Sequence, residues 1–274
     1  MSTHKKLAII GAGNIGTAIA KGFRAAGNMT EQEMYLTRRK SELLGPFEDE
    51  GFRIGHDNLH AVRKASYILI AVEPQQIDVV LEEIGSELHP EKHILMSVVS
   101  GVSICQIKSI IGADQTVVRV MPNTAIAIRE SMTCLAADNN DEKALQEVDE
   151  LFKSVGYTLI IDEEQMTAST ALGACGIAFF LRAIRAASQG GIEIGFHSEE
   201  ALTIAAQTAR GAASLLLSKT HHPEHEIDRV TTPRGCTITG LNQMEHAGFS
   251  SALIRGITAS AEKATGLYQE KKCT

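Results

Sequence analysis

The chain has 274 residues, 44% of them hydrophobic and 22% charged, enough to bury a large core and to divide into two domains. Its net charge of −7, with no basic block, argues against a nucleic-acid partner and gives no membrane-surface signal. Cys105, Cys134, Cys175, Cys236 and Cys273 are odd in number and lack metal-site spacing, so the expectation is reduced thiols in a cytoplasmic protein without a bound metal.

MSTHKK leads straight into a first strand, Lys6 to Ile10, and no stretch reads as long enough to span a bilayer. GAGNIG follows, Gly11 to Gly16. Gly11 supplies a sharp turn, Gly13 a close approach for phosphate, and Gly16 the packing of helix on strand. Asn14 and Ile15 complete that loop, and Ala18, Ile19, Gly22, Phe23 and Ala26 continue at helical spacing up to Gly27. The pattern predicts a dinucleotide site.

Met34 to Thr37 reads as a second strand. Lys40 to Glu50 is polar, at best a short helix broken near Gly45 and Pro46. Tyr67 to Val72 is a buried strand, followed by helical periodicity from Gln75 to Ile84. Strands at His93–Val99 and Thr116–Met121 flank a helix around Ser103–Ile111, and strands at Met132–Ala136 and Tyr157–Ile161 flank an acidic helix from Asp141 to Ser154. Alternation of this kind predicts an α/β fold with a Rossmann-like, doubly wound parallel sheet over residues 1–162. Residues 163–274 read as an all-α domain, with long apolar segments at Gln165–Gly191, Ser198–Lys219 and Phe249–Tyr268. The second is too apolar for a lone exposed helix, which points to dimerisation.

The end of the second strand is where a dinucleotide fold meets the adenosine ribose. Instead of an acidic residue this chain has Thr37, Arg38 and Arg39. A guanidinium pairs bidentately with a phosphate, so the arrangement favours NADPH, with NADH also possible. The alternative is that the arginines only solvate a turn.

Read together, IIGAGNIGTAIAKGF (Ile9–Phe23), AVEPQ (Ala71–Gln75), SVVSGVSI (Ser97–Ile104), RVMPNT (Arg119–Thr124) and TTPRGCTITGLNQMEHAGF (Thr231–Phe249) resemble the pyrroline-5-carboxylate reductase family. The resemblance implies an NADPH-dependent imine reductase that completes proline biosynthesis, taking a small-molecule substrate and built as a homodimer or an oligomer of dimers around interlocked helical domains. It places Ala71, Val72 and Pro74 along the cofactor, and Asn123 beside nicotinamide and substrate, although Pro122 and Asn123 also fit a rigid turn. Asn58 is equally a turn residue or, by resemblance, a cofactor contact. Thr232, Gly235, Cys236 and Thr237 form the substrate segment. Its free backbone N–H groups suit a carboxylate. The resemblance gives the Thr237 hydroxyl a hydrogen bond to the imine nitrogen, and an ordinary N-cap is its alternative.

The chain departs from the family pattern at Glu73, Ala125, Arg185, Arg234 and the segment GACGIAF, Gly173–Phe179. These changes leave open a reductase of another cyclic imine or small oxo acid, or a sensor that binds cofactor without turnover. His221, His222, Glu224, His225 and Glu226 read as a polar loop around Pro223, since their spacing fits no zinc pattern.

Overall fold

The computed structural model describes residues 5–218 and 222–268. The chain divides into two compact units, residues 1–175 with 260–274, and residues 176–259.

The first unit is built on an eight-stranded sheet of order β3-β2-β1-β4-β5-β6-β7-β8. The strands are β1 (Leu7–Ile10), β2 (Met34–Thr37), β3 (Arg53–Gly55), β4 (Tyr67–Ile70), β5 (Ile94–Ser97), β6 (Val117–Met121), β7 (Ser131–Ala137) and β8 (Gly156–Ile160). Six strands run parallel, as expected. The prediction of a wholly parallel sheet needs correction, because β7 pairs antiparallel with β6 and β8 follows β7. The connection from β6 to β7 is a single 3-10 turn, Thr124–Ile128, too short for the crossover that parallel strands require. Strand β3 escaped the sequence reading because three residues carry no periodic signal.

Alternation along the strands places Leu7, Ile9, Leu69, Met96, Val118 and Val120 on one face of the sheet. Ala8, Ile10, Ile68, Ile70, Leu95 and Val117 take the other. Helices α1 (Asn14–Ala26) and α6 (Glu142–Lys153) cover the first face, where Phe23 and Phe152 meet edge to face with ring centroids 5.2 Å apart. Helices α3 (Asn58–Lys64), α4 (Ile77–Ile84) and α5 (Ile104–Ile111) cover the second. Helix α2 (Gly45–Asp49) begins where a break was expected: Pro46 lies in its first turn, where no N–H is needed.

Beyond β8 a continuous helical stretch runs from Glu163 to Glu193. It comprises a 3-10 turn, α7 (Met166–Ser169), a π turn over Thr170–Cys175 and α8 (Gly176–Glu193). By length and composition alone these 31 residues are apolar enough to cross a membrane, which corrects the sequence expectation. The stretch fails a count of uninterrupted apolar residues and passes when averaged over a helix length.

The second unit continues with α9 (Ser198–Ser218), α10 (Pro223–Arg229) and α11 (Cys236–His246), and α12 (Phe249–Thr265) carries the chain onward. Its helices bury few residues: Gly176 and Ser188 in α8, Ala201 in α9 and none in α11. Phe180, Leu181, Leu202, Ile204, Leu217 and Ile254 are exposed.

Candidate active site

Gly11 has φ of +90° and directs the backbone N–H groups of Gly11 and Ala12 onto the Thr37 carbonyl, at 3.1 and 2.8 Å. A Cβ on Gly11 would lie 2.6 Å from Val72 Cγ1, and one on Gly16 would lie 3.0 Å from Ile9 Cγ2. Packing therefore explains both glycines. It does not explain Gly13, whose added Cβ would meet nothing nearer than the Gly11 carbonyl oxygen at 4.0 Å. Gly13 is the N-cap of α1 and supplies no side-chain cap, so the first N–H groups of the helix, at Asn14, Ile15 and Gly16, are available to an outside acceptor. A dinucleotide pyrophosphate fits that position, since it needs both the bare backbone and the donors.

The loop opens on a cleft of about 690 Å³ lined by Gly11, Gly13, Thr37, Arg38, Asn58, Ala71 and Val72 among others. Thr37 is 1% exposed and donates its hydroxyl to Asn58 Oδ1 at 2.6 Å, while Asn58 Nδ2 donates to Glu83 Oε2 at 2.9 Å. The two residues singled out as cofactor contacts are thus tied to each other. Asp57, not Asn58, caps α3, accepting from the His60 N–H at 2.8 Å. Arg38, Arg39 and Lys40 line the same cleft and form no ion pair among the described residues. Lys40, His56 and Glu83 were not anticipated. Lys40 follows the two arginines directly, and that run was its signal. His56 and Glu83 reach the cleft through the β3 to α3 turn and α4, contacts that no local pattern announces.

Further along the carboxyl edge of the sheet, the Ala71 N–H donates to the Ile10 carbonyl at 2.8 Å, which fixes the AVEPQ segment beside the glycine loop. Pro74 opens the 3-10 turn leading into α4. Glu73, one of the departures, lines the cleft and accepts a hydrogen bond from Gln76 Nε2 at 3.2 Å. Asn123 Oδ1 accepts from the Ala125 N–H at 3.1 Å and its Nδ2 donates to the Gly173 carbonyl at 3.3 Å. It therefore ties RVMPNT to the altered GACGIAF segment. That segment enters α8 through the π turn, a widened turn of a kind frequent at functional sites.

In the helical unit, Thr232 to Gly235 make a tight turn closed by the Gly235 N–H on the Thr232 carbonyl at 2.9 Å. A Cβ on Gly235 would lie 2.4 Å from Thr232 Oγ1, so only glycine fits. Arg234 has φ of +61°, left-handed backbone that glycine takes at least cost. Gly235 is the N-cap of α11 and has no side-chain cap bond, which leaves the Cys236, Thr237 and Ile238 N–H groups open to an anion. Thr237 is therefore not the cap. Its exposed hydroxyl sits in the first turn of α11.

His222 caps α10 and accepts from the Glu224 N–H at 3.3 Å. The expected loop is thus a helix that Pro223 begins. His221 and Cys273 lie outside the described residues. Cys134 is buried, and burial pushes its thiol up; Cys105 and Cys236 are exposed. Arg119, 5% exposed, bonds Glu163 Oε1 at 3.3 Å, and the same oxygen accepts the Ile104 N–H at 2.6 Å.

Residues 163–267 match the family described as pyrroline-5-carboxylate reductase dimerisation, and residues 6–101 match NADP oxidoreductase coenzyme F420-dependent. The chain is 46% identical to pyrroline-5-carboxylate reductase 2 of Dictyostelium discoideum, over 97% of its own length and 94% of that protein's. It is 49% identical to pyrroline-5-carboxylate reductase 1 of the same organism over 97% of its length, but spans only half of that longer relative. In fold it is similar to the Plasmodium falciparum pyrroline carboxylate reductase solved with NADP bound, with a TM-score of 0.87, 24% identity and coverage of 97% and 98% of the two chains. The chain belongs to the pyrroline-5-carboxylate reductase family.

Proposed function

We propose that this protein is an NADPH-dependent pyrroline-5-carboxylate reductase, which reduces the C=N bond of 1-pyrroline-5-carboxylate to give L-proline. The observation that carries the reading is Gly13: the protein's own packing leaves its side-chain position vacant beside free helix N–H groups, as a pyrophosphate requires. NADPH, when bound, supplies hydride to the imine carbon, and the nitrogen ends with the proton of a secondary amine.

The residues of the chain bind and orient. The Asn14, Ile15 and Gly16 N–H groups take the pyrophosphate. Arg38, assisted by Arg39 and Lys40, meets the 2′-phosphate, a charge that NADH lacks. Thr37 and Asn58 hold each other at the ribose end. The open N–H groups of α11 accept the substrate carboxylate, and the Thr237 hydroxyl hydrogen-bonds the imine nitrogen, fixing the C=N bond against the hydride donor. Asn123 positions the π turn by its bond to Gly173. No carboxylate or imidazole is assigned as proton donor, because an imine protonated in water already carries the proton.

We further propose that the protein works in the cytoplasm as a homodimer formed through residues 163–267. The match to a dimerisation family supports the dimer, as do the apolar residues exposed along α8 and α9. This assigns the apolar Glu163–Glu193 stretch to a protein partner, not to a bilayer.

The test is oxidation of NADPH and, separately, NADH by purified protein with pyrroline-5-carboxylate, beside larger cyclic imines and oxo acids. Turnover of pyrroline-5-carboxylate with NADPH preferred is the expected result. Turnover of oxo acids alone would assign a different substrate, and cofactor binding without turnover would make the protein a sensor.

A further inference from the structure

Helix α4 turns one stripe toward the cleft: Gln76 at its N-cap, then Val79, Val80 and Glu83, the spacing at which one helix face repeats. The stripe ends on a carboxylate. Glu83 is exposed and shares the cleft with Arg38, Arg39 and Lys40, yet it forms no ion pair among the described residues. It pairs with Asn58 instead, and that bond sets the direction of a three-residue relay. A carboxylate only accepts hydrogen bonds, so the Asn58 atom facing Glu83 is Nδ2, at 2.9 Å, and the atom facing Thr37 is Oδ1. Thr37 then donates its one hydroxyl proton to Asn58, at 2.6 Å against 3.5 Å for the Ile9 carbonyl. Two groups are left over on the cleft side of the relay. They are the second Nδ2 proton of Asn58 and the Oε1 atom of Glu83, neither of which has a hydrogen bond among the described residues.

A donor beside an acceptor suits a ribose hydroxyl, which accepts and donates. In dinucleotide folds that use NADH, an acidic residue at the end of the second strand accepts the ribose 2′-hydroxyl. That position here holds Thr37 and Arg38, and the acid arrives from α4. We propose that Glu83 is the acceptor of the adenosine 2′-hydroxyl and the specificity-determining residue that lets the same cleft take NADH as well as NADPH. The inference rests on the cofactor reading above. The 2′-phosphate of NADPH is drawn to Arg38, Arg39 and Lys40, and Glu83 repels it as a charge of the same sign. Asn58 serves either ligand with its free N–H. Glu83 therefore favours NADH, the reverse of Arg38. Because Glu83 is exposed, salt screens the repulsion, and the hydrogen bond to NADH is the larger of the two effects.

Calorimetric titration of the wild type and Glu83→Gln tests this with three ligands: NADH, NADPH and 2′-deoxy-NADH, which lacks the 2′-hydroxyl. Glutamine keeps an oxygen for Asn58 and removes the charge. The NADH dissociation constant should rise about tenfold in the variant, the range of a hydrogen bond to a charged group, while that of NADPH stays the same or falls a few-fold. The wild type should bind 2′-deoxy-NADH about tenfold more weakly than NADH, and the variant should nearly lose that distinction. Equal weakening of NADH and NADPH would make Glu83 only a support for Asn58 and overturns the proposal, as does an unchanged NADH affinity. Equal binding of NADH and 2′-deoxy-NADH by the wild type overturns it as well, and this comparison needs no variant to fold. A wild type that binds NADPH alone removes only this inference, whereas one that binds none of the three removes the cofactor reading with it.

Discussion

The two units of the chain solve the burial problem differently. In the sheet unit, strands and helices close on each other, and Leu7, Ile9, Phe23, Leu69 and Phe152 are fully buried. In the helical unit the long helices leave Phe180, Leu181, Leu202 and Leu217 in solvent. The first closes its core within one chain, leaving apolar side chains bare mainly at its β8 edge, where Tyr157, Leu159 and Ile160 are exposed, and the second depends on the proposed dimer to cover its helices. The contrast extends to the proposed chemistry, since the cleft proposed for the cofactor is lined by residues of the sheet unit and the Thr231–Thr237 segment proposed for the substrate lies in the helical one.

The largest expected effect comes from the helical side. Thr237→Ala removes the hydroxyl assigned to the imine nitrogen and should lower kcat/KM by about one to three orders of magnitude, the range of one oriented hydrogen bond, with NADPH binding unchanged. Full activity in the variant would remove Thr237 from the mechanism.

Within the sheet unit, two glycine substitutions separate folding from binding. A Cβ on Gly22 would lie 2.4 Å from the Ile126 carbonyl oxygen, so Gly22→Ala should cost about 3 kcal/mol in urea unfolding, as overpacking against backbone does. Gly13→Ala meets no such contact. It should unfold like the wild type while its NADPH affinity, measured by titration, falls at least about tenfold.

Acid should distinguish the units as well. His93 is 1% exposed, and burial, aided by the Lys92 and His89 charges, pushes its imidazole down to about 4 from an ordinary 6.5. Above pH 6.5 neither folded nor unfolded chain protonates it. Between pH 6.5 and 4 the unfolded chain takes up the proton first, so stability is lost as pH falls, by about 3 kcal/mol at pH 4. Unfolding of wild type against His93→Gln at pH 7 and pH 4 measures the difference, and equal acid losses would contradict the assignment.

The smallest effect falls at the rim of the cleft. Arg38→Gln should raise the NADPH KM about tenfold and leave that for NADH unchanged, because only one of the two carries the 2′-phosphate. Equal changes for both cofactors would reduce Arg38 to a solvated turn residue.

The glycine loop and its sheet were legible because one short segment sets turn, phosphate approach and helix packing together. The antiparallel β7 was not, since direction depends on a connection of a few residues whose pattern resembles any turn. Thr37 and Asn58 each read as cofactor contacts, yet the bond between them, across 21 positions, appears only once β2 and α3 are assembled. Asn123 and Gly173 are separated further still.

The central claim is that hydride reaches the imine carbon of 1-pyrroline-5-carboxylate, and its most direct test uses NADPH carrying deuterium on the transferred position at C4. The account predicts L-proline with one deuterium at C5. Proline without deuterium, or deuterium found only in a hydroxy acid formed from an oxo acid, would contradict it.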